Sequence, residues 1–386
     1  MSSQRVRWPL LAMLFVAGLA AHAGEGTTPA NPLSDKLDDL VRREMTERKL
    51  PSLALVVMKG NVIVRQAAYG WARIEPPIAA AASTRYRLDS LTKQFTAAAI
   101  LILQQQGRLR VEDPVRKYLP KAPPSWDKIT IRDLLTHTAG FPRDSPAGYS
   151  NLADQSLASE NLLALLYKMQ PLTSPGTRWK YSNAGYAILG AIVEAVSGQG
   201  YAAFLEQNIF SPAGMSDTRL DDENNNDPNF AAGYIWQASS QHWQSRAPGN
   251  PPMAAAGIRS TVLDLAKWEM TLHGETILTT ESKKQMWSPL VLKNGDEYDY
   301  GFGWLIDDCP LGRFISHGGS GWGYSTAYHR YPDAGYTVIV LTNLQPGKGD
   351  YHADAIAHSI AAIYEPVLAG PVQQPKAKPL LAESER

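Results

Sequence analysis

SLTKQFTAAAILIL, residues 90–103, decides how this chain is read. Past Gln94 and Thr96 the run is apolar from Ala97 to Leu103, which leaves hardly any polar face and predicts a buried helix. Ser90 and Lys93, three residues apart, fall on one face of that helix about one turn apart. A serine hydroxyl is a poor nucleophile until a neighbouring base takes its proton, and an amine held that close is such a base. The helix start adds unpaired backbone N–H groups and the positive end of the dipole, both favourable to a developing oxyanion. The segment reads as an activated serine at the head of a buried helix.

Spacing by itself does not carry this. Ser125-Trp126-Asp127-Lys128 matches the same pattern, but it follows Pro123-Pro124 and has no apolar helical run behind it, so it reads as a loop. An isolated Ser-x-x-Lys more often marks a capping serine followed by a solvated lysine. A lysine in the first turn of a helix as apolar as this one needs another reason to be there.

Two further groups lie downstream. Tyr181-Ser182-Asn183 follows the turn signal Pro175-Gly176-Thr177 and precedes an apolar helical stretch, Ala184 to Val196. A second copy, Tyr149-Ser150-Asn151, falls in a Pro/Gly/Ser-rich stretch without a helix start. His317-Gly318-Gly319 follows a strand-like segment, Arg313 to Ser316, and its glycines would let backbone approach a ligand closely. Taken singly, Tyr181 reads first as a core tyrosine and His317 as a turn histidine.

In this order and with these flanks, the three motifs resemble the serine beta-lactamase and penicillin-binding-protein superfamily, and within it the class C-related branch of esterases, D-amino-acid peptidases and beta-lactamases. The resemblance runs from about Leu33 to Tyr364. It is carried also by Ile129 to Pro142 (ITIRDLLTHTAGFP), Pro175 to Gly190 (PGTRWKYSNAGYAILG), Ala254 to Asp264 (AAAGIRSTVLD) and Tyr300 to Trp304 (YGFGW). It implies an α+β, two-lobed, beta-lactamase/transpeptidase-like fold, with an antiparallel sheet flanked by helices beside a mainly helical lobe. Ser90 and Lys93 inherit the roles of nucleophile and general base. Tyr181 becomes the proton shuttle and Asn183 a substrate holder. His317 and Gly319 line the substrate site, His317 bonding the Tyr181 oxygen or the substrate. The backbone N–H groups of Ser90 and Ser320 form the oxyanion hole.

One position departs from the pattern. Beta-lactamases and DD-peptidases usually carry Lys-Thr-Gly or Lys-Ser-Gly at the third motif, where this chain has His317-Gly318-Gly319. A lysine is charged across the working range, with an ordinary pKa of about 10.4, while histidine lies at about 6.5. The exchange removes a fixed positive charge that helps to hold the carboxylate of penicillins and D-Ala-D-Ala peptides. The resemblance therefore points to a carboxylesterase or D-amino-acid peptidase, with a beta-lactamase or D-alanyl-D-alanine carboxypeptidase as the alternative. The non-enzyme alternative is a catalytically silent cell-wall-binding protein, against which Ser90, Lys93, Tyr181 and Asn183 all speak.

Composition bounds these readings. A chain of 386 residues, 44% hydrophobic, is long enough to bury a substantial core. Residues 1–23 read as a cleaved export signal, with Arg5 and Arg7 before the apolar stretch Trp8 to Ala20 and Ala21-His22-Ala23 at the cleavage point. That stretch is short for a membrane span. The expected location is the bacterial periplasm or beyond, with no stable membrane anchor once the signal is gone. Without Arg5 and Arg7, 35 basic residues face 37 acidic ones, a balance that argues against nucleic acid as a partner. Cys309 is the only cysteine, so no internal disulfide forms. Neither a Gly-x-Ser-x-Gly elbow nor a His-Glu-x-x-His pattern occurs, and no metal or cofactor is called for.

The remaining elements place the site. Ser34 reads as the cap of a helix with Leu37, Leu40, Val41 and Met45 on one face. Leu53 to Met58 and Val62 to Ala67 read as strands joined across Lys59-Gly60-Asn61. Late strands are expected at Tyr300 to Ile306, Arg313 to Ser316, Thr326 to Tyr331 and Thr337 to Leu341. A closing helix follows, Tyr351 to Tyr364, with Ala355, Ile356, Ile360 and Ile363 as its apolar set and His352 and His358 at the surface. Early and late strands around a helical block imply one sheet assembled from both chain ends. The expected hydrolase domain spans 24–365, with a sheet lobe at about 33–89 and 290–365, a helical lobe at about 90–289, and an unstructured tail at 366–386. The loops 143–159 and 221–253 are candidates for shaping specificity, the second through Trp236 and Trp243 as a pocket roof or simply as half-exposed surface tryptophans.

Overall fold

A computed structural model describes residues 32–143, 159–220, 227–246, 253–347 and 350–369. The expected export signal, Tyr149 and most of the 143–159 loop lie outside the described residues.

The chain opens with helix α1 (Pro32–Arg48), whose Leu37, Leu40 and Val41 are buried. Ser34 lies inside its first turn and is not its cap. Strands β1 (Ser52–Lys59) and β2 (Val62–Arg73) turn over Gly60-Asn61, where Gly60 takes a left-handed φ of 55° that suits a residue without a Cβ. A two-residue strand β3 (Ile78–Ala79) lies at the edge. The nucleophile candidate follows, in a 3-10 turn over Asp89–Leu91 that runs directly into α2 (Thr92–Gln105). Tyr181-Ser182 leads into α3 (Asn183–Ser197), which Ser182 caps by accepting the Gly185 N–H.

The late strands are β4 (Leu305–Cys309), β5 (Gly312–Gly321), β6 (Tyr324–Tyr331) and β7 (Tyr336–Thr342), closed by helix α4 (His352–Tyr364). The main sheet runs β4-β5-β6-β7-β1-β2-β3 and is antiparallel throughout. Its centre is the pairing of β1 with β7, from Leu53 opposite Thr342 to Lys59 opposite Tyr336. This is the expected α+β, beta-lactamase/transpeptidase-like arrangement, a sheet built from both chain ends and flanked by helices.

The alternation of side chains along each strand divides the core in two. Leu53, Leu55 and Val57 of β1 join Val338 and Val340 of β7 against α1 and α4. Ala54, Val56 and Met58 join Ile339 and Leu341 on the opposite face, with α2 and α3. Because both faces are covered, β1 is apolar almost without interruption. Helix α2 is buried from Thr92 to Leu103. Its Ala97-Ala98-Ala99 run is fully buried.

Several expectations need correction. Tyr300 to Trp304 is a loop ahead of β4, not a strand; Gly303 there has a φ of 77° and a Cβ on it would lie 2.8 Å from Lys93 O. His317-Gly318-Gly319 belongs to strand β5, not to a turn. His352 is fully buried, its Nε2 2.9 Å from Thr342 Oγ1, whereas Ala355 is exposed on α4. The tail begins with a 3-10 turn, Pro366–Ala369, that buries Leu368, so order passes the boundary expected at 365.

The 90–289 block also holds strands. Tyr86–Arg87 pairs with Ile258–Ser260, which pairs with Arg219–Leu220, beneath the nucleophile turn. The 221–253 stretch contains a hairpin, Gly233–Gln237 with His242–Arg246. Trp236 and Trp243 are cross-strand partners in edge contact there. The Trp243 indole donates to Lys49 O, and Trp236 packs with the α1/α4 layer. They do not roof the Ser90 side of the sheet.

Candidate active site

Three elements fix the turn that carries Ser90. From the sheet, Thr326 Oγ1 donates to Leu88 O at 3.0 Å, and Gly319 of β5 comes so close that a Cβ on it would lie 2.2 Å from the same oxygen. From below, Leu88 N–H donates to Ile258 O and Ile258 N–H donates to Thr92 Oγ1. From the helical side, Thr96 Oγ1 donates to Ala254 O at 2.6 Å. Asp89, just ahead of the serine, is buried and held at a φ of 47°, a region that non-glycine residues occupy only when their surroundings impose it.

The side chains converge as the sequence implied. Lys93 Nζ lies 3.1 Å from Ser90 Oγ, and it donates to Asn183 Oδ1 at 2.9 Å and to Ala255 O at 3.0 Å. Tyr181 Oη donates to Ser90 Oγ at 2.9 Å. The ammonium position also lies 4.7 Å from the Tyr181 ring centroid and 5.5 Å from that of Tyr186. Lys93 is fully buried, while Ser90, Tyr181 and Asn183 are half-buried and reachable from outside. A buried amine beneath an accessible hydroxyl and phenol is an arrangement that nucleophilic catalysis can use.

Gly319 and Ser320 continue along β5, with Ser320 exposed opposite Ser325. Strand β4 pairs with β5 only as far as Leu305 opposite Ser316, so from His317 to Gly321 the described ladder of β5 is with β6 alone. That half of the strand turns a free edge toward the site.

His317 sits in the wall beside Tyr181. Its Nε2 meets the Tyr300 hydroxyl at 3.1 Å, and its Nδ1 donates to Gly318 O at 2.7 Å. The rings of His317 and Tyr181 are neighbours, with centroids 6.3 Å apart, and the two nitrogens of the imidazole bond Tyr300 and Gly318. Burial first, and the charge of Lys93 second, push its pKa down to about 3, so it is a neutral imidazole through the working range.

Sequence reasoning passed over the residues behind this wall. His137, from the THTAG phrase, stacks beside Tyr181 with centroids 4.4 Å apart, and its Nε2 also meets the Tyr300 hydroxyl at 3.1 Å. Its Nδ1 accepts the N–H of Ser182 at 3.1 Å. Burial pushes its pKa well below the ordinary value, helped by Lys93 and His317. Its φ of 59° is a second strained, non-glycine backbone near the nucleophile. Trp179 stacks on Tyr298 at 4.5 Å beside Tyr181, and the Arg143 guanidinium lies 5.9 Å from the Tyr181 ring. The phrases THTAG and YGFGW carried the signal, but nothing in the one-dimensional pattern says that they meet.

Comparison with known proteins agrees with this geometry. The family model described as Beta-lactamase matches residues 37–362. Penicillin-binding protein 4* of Bacillus subtilis (strain 168) is 32% identical over 305 residues, 75% of this chain and 67% of that protein. Protein flp of Staphylococcus aureus (strain MRSA252) is 25% identical over 322 residues, 81% of this chain and 64% of that protein. The chain thus spans about two thirds of the length of these relatives. Among solved structures, the octameric penicillin-binding protein homologue from Pyrococcus abyssi superposes with a TM-score of 0.74 at 29% identity, covering 86% of this chain and 77% of its own. A penicillin binding protein from Bacillus halodurans gives 0.71 at 26%, covering 88% and 99%.

Proposed function

This chain belongs to the beta-lactamase family, in the serine beta-lactamase and penicillin-binding-protein superfamily of hydrolases, and we propose that it cleaves an ester or amide bond through an acyl-enzyme on Ser90. One observation carries the assignment. Two of the three groups around Lys93 Nζ, Asn183 Oδ1 and Ala255 O, only accept hydrogen bonds. The resting ammonium donates to all three; once it has lost a proton its two remaining hydrogens go to the pure acceptors, and its lone pair is left facing Ser90 Oγ at 3.1 Å. Lys93 takes the serine proton as Ser90 attacks the carbonyl carbon. Tyr181, bonded to the same oxygen, passes a proton to the leaving alkoxide or amine and later regains one from the water that attacks the acyl group, while Lys93 returns its proton to Ser90 Oγ as the acid departs. The N–H groups of Ser90 and Ser320 hold the oxyanion. Asn183 orients the acyl group while bonding Lys93.

A short ester or a D-amino-acid peptide suits this site better than a beta-lactam, because the third motif offers a neutral imidazole where a carboxylate would meet an ammonium. A beta-lactamase or D-alanyl-D-alanine carboxypeptidase is the second reading, favoured by the similarity to penicillin-binding proteins. The leader over residues 1–23 supports action outside the inner membrane, on a small-molecule substrate, with no cofactor in the chemistry.

Turnover of a short-chain nitrophenyl ester, nitrocefin and a D-Ala-D-Ala peptide, measured side by side, separates these readings; the ester or a D-peptide is expected to lead. Mass spectrometry after a fluorophosphonate should show one adduct, on Ser90, absent from a folded Ser90→Ala variant. An adduct of equal yield on that variant would remove the nucleophile from the scheme.

A further inference from the structure

Ser182, His137, Tyr300, His317 and Gly318 form one chain of hydrogen bonds, and its direction is fixed from both ends. The backbone N–H of Ser182 can only donate, so His137 Nδ1 is the bare nitrogen. A neutral imidazole carries one proton, which therefore sits on His137 Nε2 and points to the Tyr300 oxygen at 3.1 Å. At the other end Gly318 O can only accept, so His317 Nδ1 carries the proton and Nε2 is bare. Tyr300, having accepted from His137, donates to His317 Nε2 at 3.1 Å. Tyr186 directs its own proton to Leu135 O at 2.8 Å, so its oxygen is a second acceptor beside the Tyr300 hydroxyl. The two imidazole tautomers are set independently of it, by the Ser182 N–H at one end and Gly318 O at the other.

We propose that His137 and Tyr300 are positioning residues of this site, acting through His317. They lock it as the Nδ1-protonated imidazole with both nitrogens engaged, so that the third motif gives Tyr181 a fixed neutral wall and neither donates nor accepts a proton in the reaction. This rests on the acyl-enzyme reading above and adds to it a division of labour. Proton transfer stays with Lys93 and Tyr181. The phrases THTAG and YGFGW tie the head of α3 to strand β5 and hold the two sides of the cleft in register. The groups that face His317 are Lys93 on α2, Tyr181 ahead of α3, and Tyr300 with His137 and Tyr186 behind it; Asp354 of α4 lies against Gly318 on the opposite face of the sheet. Removing the Tyr300 hydroxyl alone would leave Nε2 without its partner and free the ring to exchange tautomers.

The test uses the full-length protein with 15N-labelled histidine. Long-range proton–nitrogen correlation, assigned with single histidine variants, should show His317 as the Nδ1–H form and His137 as the Nε2–H form, unchanged from about pH 5 to about pH 9. In Tyr300→Phe, burial and Lys93 still keep His317 neutral, but Nε2 loses its partner and the ring should lose its single fixed tautomer signal. The kcat for the nitrophenyl ester should fall several-fold, with KM held within about two-fold. An Nε2–H tautomer for His317 in the unaltered protein overturns the proposal, and so does a Tyr300→Phe variant whose histidine signals and kcat match those of the unaltered protein. The tautomer result stands even if the variant folds poorly. Failure of the Ser90 assignment would show separately, as labelling of Ser90→Ala with both tautomers as described.

Discussion

Ser90 and Lys93 stand at the head of a helix buried from Thr92 to Leu103, whereas Ser125 and Lys128, at the same spacing, stand exposed around a one-turn 3-10 helix, Pro124–Trp126. Rigidity does not separate them. The second turn is anchored too, by buried Trp126, whose indole donates to Met169 O. The difference lies in what else arrives. Around Ser90 come the phenol of Tyr181, the carboxamide of Asn183, the carbonyl of Ala255 and the edge of β5, each from a different part of the chain. Around Ser125 lies a shallow depression edged by Pro124, Asp127 and the 170–175 loop. A spacing becomes a site only where the fold excludes water from the base and delivers second and third groups to the hydroxyl.

The strongest way to break the comparison is to remove each lysine in turn. Lys93→Met fills the same buried space with an apolar chain, so the helix should persist while turnover falls by ~10²–10⁴, the usual worth of a general base. Lys128→Met should leave kcat/KM and thermal stability unchanged, as is usual for an exposed charge. Equal effects from the two would show that burial is not what distinguishes the copies.

A smaller effect is expected from loosening what holds the Ser90 turn. Gly319→Ala puts a methyl 2.2 Å from Leu88 O and 2.4 Å from Thr326 Oγ1, so β5 must retreat from the nucleophile. A retreat of even about 1 Å costs on the order of 10²-fold in rate. Gly200→Ala is the control, since a Cβ there meets nothing within 4 Å. Equal kcat for both variants would mean that the contact of β5 with the Ser90 turn does not position the nucleophile.

The same contrast explains what could be read from the sequence. The sheet was legible because β1 and β7 are short apolar runs bounded by turn residues, and their position at both chain ends forces a common sheet. Ser90, Lys93, Tyr181 and Asn183 were legible because each opens an apolar helical run or lies just before one. The strand at Tyr300 to Ile306 was misread because its aromatic content mimics β-propensity, whereas Gly301 and Gly303 serve close backbone contacts, Gly301 with Met286 and Gly303 with Lys93. His352 was placed at the surface because a histidine on a helix usually is, yet Thr342 gives it a partner inside. The hairpin around Trp236 and Trp243 was taken for a loop because its outer strand, His242–Arg246, is wholly exposed and has no apolar alternation. His137 and Tyr300 belonged to recognised phrases, but their meeting is a tertiary fact.

The smallest effect concerns acid, and it falls on the Ser90 side of the comparison. His317 is held at about 3 in the folded protein against an ordinary 6.5, so below pH 6.5 the unfolded chain binds a proton that the folded chain refuses. Its contribution to stability is therefore complete above about pH 6.5 and is lost as the pH falls toward 3. Between pH 7 and pH 5 the loss from this one group is about 2 kcal/mol. His352, buried on α4 and held at about 4, acts in the same direction, and His137 adds to it. Urea midpoints at the two pH values should fall for the unaltered protein and fall less for His317→Gln, which keeps an acceptor for Tyr300 but cannot titrate. A variant with the same acid loss as its parent would show that the imidazole at 317 takes up its proton in the folded state, and that the wall of the cleft is charged after all.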